Sequence, residues 1–123
     1  MTVDRYRADI RDEGAYIRVI IHGHYSLERG KQLISLIRDA AKAAGRTRVL
    51  LDARDVPEPM PAVDAYDLGQ LAAEAFRGLR VADIDPVDAT DGLAETVARN
   101  RGINGRMFAS EPEALAWLLG EAP

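Results

Sequence analysis

The sequence predicts an α/β sandwich: a mostly parallel sheet of about five strands, opened by an N-terminal β-hairpin, with about four helices. Three observations carry this. Short β-rich apolar runs alternate with helical apolar stripes, so most strands must be joined by crossovers and run parallel. The first two strand-like runs are separated only by Asp12-Glu13-Gly14, a turn signal, and so read as a hairpin. Gly45, Gly78 and Gly102 stand where the helical stripes stop, as helix-ending glycines do.

The elements follow in order. "VDRYRADI" alternates only roughly, with Val3, Tyr6, Ala8 and Ile10 toward one face, and reads as an edge strand. "AYIRVIIHG", Ala15 to Gly23, becomes continuously apolar, as a central strand does. Ser26 fits an N-cap. Leu27, Leu33, Ile34, Leu36, Ile37, Ala40, Ala41 and Ala44 then form a helical stripe. "RVLLD" is a short buried strand ending at Asp52, followed by a loop holding Pro57, Pro59 and Pro61. A second helix spans about Ala62 to Arg77, with Leu68, Leu71, Ala72, Ala75 and Phe76 on its buried face. "LRVADI" is the next strand, and a third helix covers about Asp91 to Arg101. "GRMFA" is the last strand. Ser110-Glu111-Pro112-Glu113 reads as a capping box before a final helix carrying Ala114, Leu115, Leu118 and Leu119, with Trp117 beside them. No repeat, low-complexity tract or linker interrupts the order, so residues 1–123 form one domain.

Composition narrows the function. The 123 residues are 47% hydrophobic, enough for one globular core. With no Cys there are no disulfides, thiolate nucleophiles or zinc-thiolate sites. The opening "MTVDRYRADIRDEG" has no apolar signal core, and no run is long enough to span a bilayer, so no membrane insertion and a cytoplasmic location are expected. The net charge is −4. The 14 Arg and two Lys are scattered among acids and show no basic face, so nucleic acid is not an expected partner.

The hairpin, Gly23 at the end of the second strand, the capped helix after it and "RVLLDARDV" resemble the STAS family of sulphate-transporter and anti-sigma-factor-antagonist domains. The ending "ETVARNRGINGRMFASEPEALAWLL" is more similar to its bacterial SpoIIAA-like branch, sometimes grouped as STAS/Sec14-like. The resemblance implies a non-catalytic regulatory domain that binds another protein through the loop before the second helix and that helix's first turn. In STAS antagonists this turn opens with Asp-Ser-Ser/Thr-Gly, whose Ser or Thr a partner kinase phosphorylates. Asp64 stands for the family's Asp, but Ala65 and Tyr66 follow it, so the phosphorylatable hydroxyl is missing. Pro59, Asp64, Ala65 and Tyr66 are the candidate partner-binding residues. An Asp in a first helical turn also has a structural role, at the positive end of the helix dipole.

Other chemistry is weighed residue by residue. Leu-Leu-Asp-x-Arg also resembles the strand on which a two-component receiver carries its phospho-accepting aspartate. A receiver further needs an acidic pair after its first strand, a Ser or Thr after the fourth and a Lys after the fifth. Lys31 and Lys42 both lie in the first helix, so Asp52 reads as the polar end of a strand bonded to loop amides. His22 and His24 stand two apart, and Glu28 is the nearest third ligand for a zinc ion; two His without Cys leave this a strand end rather than a metal site. Ser26, Ser35 and Ser110 are explained by caps or helical positions, and no Gly-x-Ser-x-Gly elbow occurs. Gly102 and Gly105 are a spaced pair joining helix to strand, not a phosphate cradle. No catalytic residue, cofactor or metal is therefore expected. Asp83 interrupts an apolar strand, so either the strand lies at the sheet edge with solvated acids, the favoured reading, or Asp83 finds a partner, or it faces a pocket; Asp85, Asp88 and Asp91 make the next loop the most acidic stretch, which would otherwise suit a polar partner surface or a cation site.

Two functions from different classes fit. One is the interaction domain that the STAS resemblance implies. The other is a small-molecule or lipid-binding module, which the Sec14-like resemblance implies and which needs an apolar cavity between sheet and helices. The Ala-rich faces at Ala40, Ala41, Ala44, Ala72, Ala73 and Ala75 allow a ligand or close packing, and crystal-like interior density favours packing. Partly exposed Trp117 and Tyr66 would also suit a homodimer.

Overall fold

A computed structural model describes residues 6–24, 26–57, 60–85 and 93–120. Its elements run β1 (Arg7–Asp12), β2 (Ile17–His22), α1 (Leu27–Ala44), β3 (Arg48–Asp55), α2 (Ala62–Ala75), β4 (Arg80–Ile84), α3 (Leu93–Asn100), β5 (Asn104–Phe108) and α4 (Glu111–Leu119). The five strands form one sheet in chain order. β1 and β2 are an antiparallel hairpin; β2–β3, β3–β4 and β4–β5 are parallel. This is the fold class that the alternation of runs predicts.

Sequential strand order decides where the helices go. The sheet grows one strand at a time in one direction, so right-handed crossovers put α1, α2 and α3 on the same face. On that face Leu33, Ile37 and Ala41 of α1 meet Ile17, Val19, Val49 and Val81, with Phe76 at the end of α2. The helix after the last strand has no crossover to make, and α4 folds onto the opposite face. There Ala114 and Leu118 pack on Tyr16, Leu50, Ala82 and Ile84. Burying such side chains contributes roughly 1.5–3 kcal/mol each for the larger ones.

The helix ends obey local chemistry. Ser26 Oγ accepts from the Arg29 amide at 3.2 Å, and Gly45 closes α1 at φ 68°, a left-handed conformation that suits a residue without Cβ. α1 and α2 approach closely because Gly30 faces Leu68: a Cβ on Gly30 would lie 2.8 Å from Leu68 Cδ1. That contact is the close-packing role of small residues on these helices.

Several expectations are corrected. β4 lies between β3 and β5, so Asp83 is on an interior strand, half-buried, and not at a solvated edge. β3 does not stop at Asp52 but continues to Asp55. Leu36 and Leu71 are exposed rather than buried, while Ala65, Gly69 and Ala73 join Leu68 on the inner face of α2. Ser110 caps α4 with extended backbone, yet its hydroxyl donates to the Glu113 carboxylate at 3.0 Å instead of accepting from an amide, so the two side chains bond each other and neither backbone bond of a capping box forms. Val3, Pro59, Asp88 and Asp91 lie outside the described residues.

Candidate functional site

The start of α2 is built by Pro61. Its fixed φ of −57° suits helix entry, and its carbonyl accepts the first helical bond from the Ala65 amide at 2.9 Å. From there the helical period separates the predicted site residues. Val63 and Tyr66 face solvent, at 68% and 46% exposure, and Asp64 is half-buried in the first turn. Ala65 is 4% exposed and belongs to the core, so it positions the turn and does not offer a contact surface. The Tyr66 hydroxyl accepts from Arg101 Nη2 at 3.1 Å, and the Arg101 guanidinium lies 5.8 Å from the ring centroid. This ties α2 to the residue just after α3. Val63 is the residue that sequence reasoning passed over; it lies opposite the buried Ala65–Leu68–Gly69 side, a phase set by which side of the helix meets the sheet.

A shallow open depression of about 700 Å³ extends from this surface over the outer side of α2. Lys31, Asp67, Glu74, Arg77 and Arg101 line it, with Leu71 between them. Its chemistry is ionic, not that of an apolar lipid cavity.

Asp52 sits elsewhere, on the α4 face of β3, and is only 7% exposed. Arg54 holds it through two side-chain bonds, Nε to Oδ1 at 2.9 Å and Nη2 to Oδ2 at 2.7 Å, and through its amide at 3.1 Å. Arg54's guanidinium lowers the Asp52 pKa against the opposing effect of burial; the Arg54 amide and the charges of Arg54 and Arg18 add to the lowering. Glu111, the first residue of α4, bonds Arg18, lies 3.8 Å from Arg54, and so bridges them. Arg18 also donates to the Tyr16 hydroxyl at 2.9 Å. The partner of Asp52 is thus an arginine on its own strand rather than a loop amide. Its carboxylate is occupied, with no lysine or cation ligand beside it among the described residues.

The two histidines do not converge. His22 ends β2, and Gly23 at φ 96° turns the chain before His24, which is exposed and outside the strand. His22 Nδ1 lies 2.7 Å from Asp55 and its Nε2 lies 3.7 Å from Asp9, on opposite sides of the ring. Glu28 bonds Gln32 at 3.5 Å. Among the described residues no three His, Asp or Glu side chains are grouped to hold a metal ion.

One grouping was missed by the linear reading. Registers place Arg7, Arg11, Arg18, Arg48, Arg54, Arg80 and Arg106 on the same face of the sheet, the one that carries α4. Arginines scattered along the sequence are therefore gathered in space. Each strand contributes only one or two, so strand order is needed to see it.

With the geometry in hand, the architecture is the SpoIIAA-like, or STAS-like, fold. It is shared with an anti-sigma factor antagonist from Mycobacterium paratuberculosis at a TM-score of 0.66 and 14% identity, over 97% of this chain and 98% of that one. An uncharacterised DUF3478-family protein with a SpoIIAA-like fold from Shewanella loihica matches at a TM-score of 0.54 and 23% identity, over 96% of this chain and 98% of that one. No protein-family model and no curated protein matches the sequence. No helix among the described residues is long and apolar enough to cross a membrane.

Proposed function

We propose that this chain is a non-catalytic regulatory domain that binds another protein through the first turns of α2 and the loop before it. The carrying observation is a pair of exposed apolar side chains, Val63 and Tyr66, flanking half-buried Asp64 at the α2 start. The fold shared with an anti-sigma factor antagonist over nearly the whole chain supports the reading. Tyr66 adds an amphipathic ring, and aromatic anchors of this kind carry interface energy. The segment from Pro61 to Gln70 contains no Ser or Thr, so a phosphorylated Ser or Thr cannot regulate it there. Binding is then set by partner concentration or by another surface.

In-cell photo-crosslinking tests this. A photoreactive residue at position 63 captures one defined protein, and the adduct disappears when Tyr66→Asp is added. The same probe at exposed Lys42, at the far end of α1, captures nothing comparable. Equal capture from both positions would sink the assignment of the surface.

A further inference from the structure

We propose that the free edge of β5 pairs antiparallel with the β5 edge of a second copy of this chain, about a two-fold axis at Gly105, so that one sheet continues through both copies. The edge lies apart from the start of α2, and the proposal stands independently of the partner-binding reading.

The sheet has two edges, and only one is guarded. β1 carries Arg7, Asp9 and Arg11 along one face, with Arg7 3.2 Å from Asp9, and Arg46 holds Asp12 at its end. Charges of this kind keep another strand from adding to an edge. β5 has a single charged residue, Arg106, no Pro, and an unbroken register with β4. Which of its backbone groups are free follows from one bond. The Phe108 carbonyl accepts from the Asp85 amide at 3.2 Å, so Phe108 aims its polar groups at β4. That direction alternates along a strand: Asn104 and Arg106 also aim at β4, while Gly105 and Met107 present N–H and C=O outward. Ile103, just before the strand, continues the alternation. Among the described residues no hydrogen bond takes the outward amides of Ile103, Gly105 and Met107. Met107 is 37% exposed, so the edge is open.

A second copy is the occupant that fits, because the edge is self-complementary. A two-fold axis sets like edges antiparallel, and outward groups must meet outward groups. Centred on Arg106, the pairing puts two guanidinium groups directly opposite, which opposes association. Centred on Met107, it sets Asn104 against Ser110, the cap where the chain leaves the sheet for α4. Centred on Gly105, it runs from Ile103 to Met107 without conflict. A Cβ on Gly105 would lie 3.4 Å from Ile103 Cγ2, so Ile103 shares the face of Gly105 and Met107. On that face Ile103 meets the partner's Met107, an apolar pair. On the α4 face Asn104 meets the partner's Arg106, and its side-chain oxygen accepts from the guanidinium. The two glycines face each other with no side chain between them. The paired stretch is short, so association is weak and concentration decides it.

The test is sedimentation velocity of the intact protein from micromolar to millimolar concentration, with backbone amide exchange followed by NMR over the same range. The expected result is a reversible monomer–dimer equilibrium. At its dimeric end the amides of Ile103, Gly105 and Met107 exchange about tenfold or more slowly, whereas the Arg106 amide, already bonded to β4, changes far less. Met107→Pro removes one outward N–H, a substitution that an edge strand tolerates, and should leave the chain monomeric with the melting curve of dilute wild type. Should that variant not fold, amide exchange in the wild type decides alone. A chain that is monomeric throughout would overturn the proposal. So would a dimer in which the three outward amides stay as fast as in the monomer, because the contact would then lie elsewhere. Equal protection of the dilute protein by an unrelated alternating Thr-Val peptide would also overturn it, since the edge would accept any strand.

Discussion

The two faces of one sheet solve burial differently. The face under α1, α2 and α3 is closed by apolar packing: Ile17, Val19, Ile37 and Val49 are all at or below 1% exposure. The face under α4 is closed only in part. Leu50, Ala82, Ile84, Ala114 and Leu118 are fully buried there, but beside them Arg18, Asp52 and Arg54 of the sheet form a bonded network with Glu111 of α4. One short helix cannot cover five strands, and an antiparallel hairpin tolerates a wet face. Arg18, Arg54 and Glu111 reach that partly wet region, with Asp52 buried against Arg54, and the network pins the helix by its first residue. The difference teaches that the three-helix face holds the fold, while the one-helix face is where charge can be placed.

This comparison can be broken. Ile37→Ala on the closed face should cost about 2–5 kcal/mol, the range for emptying a well-packed site, read as a denaturant midpoint shift with unchanged slope. On the ionic side, Glu111→Ala should cost about 1–2 kcal/mol, since hydrogen bonds to charged groups are worth somewhat more than neutral ones but this carboxylate is a third exposed. A loss as large as that of Ile37→Ala would mean that the network, not the apolar packing, dominates α4 docking.

Asp52 sharpens the contrast through pH. Its folded pKa is lowered below the ordinary carboxylate value near 4, so its stabilisation is present above that value and is lost as pH falls through the folded pKa. Asp52→Asn should therefore be less stable than wild type at neutral pH by about 1 kcal/mol. That gap should narrow as pH falls below about 4. A gap that stays constant from neutral pH through acid unfolding would show that the Arg54 pairing is not its cause. The smallest effect concerns Gly30. Gly30→Ala gains helix propensity of up to about 1 kcal/mol, but its Cβ meets buried Leu68 at 2.8 Å, an overlap costing about 1–3 kcal/mol. The net expectation is a loss near 1 kcal/mol; a gain on thermal melting would show that α1 and α2 separate without cost.

How much of this was legible depended on how local the signal was. Strand and helix types followed from periodicity, and Ser26 and Gly45 mark α1 because capping is decided within a few residues. The order of strands is not local, which is why Asp83 reads as an edge residue until β4 is found between β3 and β5. Asp52 reads as a strand end because a charged Arg-Asp tail resembles a loop. Arg54, two residues on, points to the same face and neutralises it, so the strand continues. At the candidate surface the sequence located the turn. It did not separate Ala65, turned inward, from Val63 and Tyr66, turned out, because the helix's phase depends on which side meets the sheet. The gathered arginines were invisible for the same reason as the strand order.

Native mass spectrometry of the protein purified gently from its own host tests the functional account most directly, with Val63→Asp prepared in parallel. The account predicts a complex of the chain with a second protein that is absent for Val63→Asp, whose circular dichroism and melting curve match wild type because the side chain is 68% exposed. A chain that carries a near-stoichiometric lipid or metabolite and no protein would contradict the interaction reading and favour a ligand-binding module.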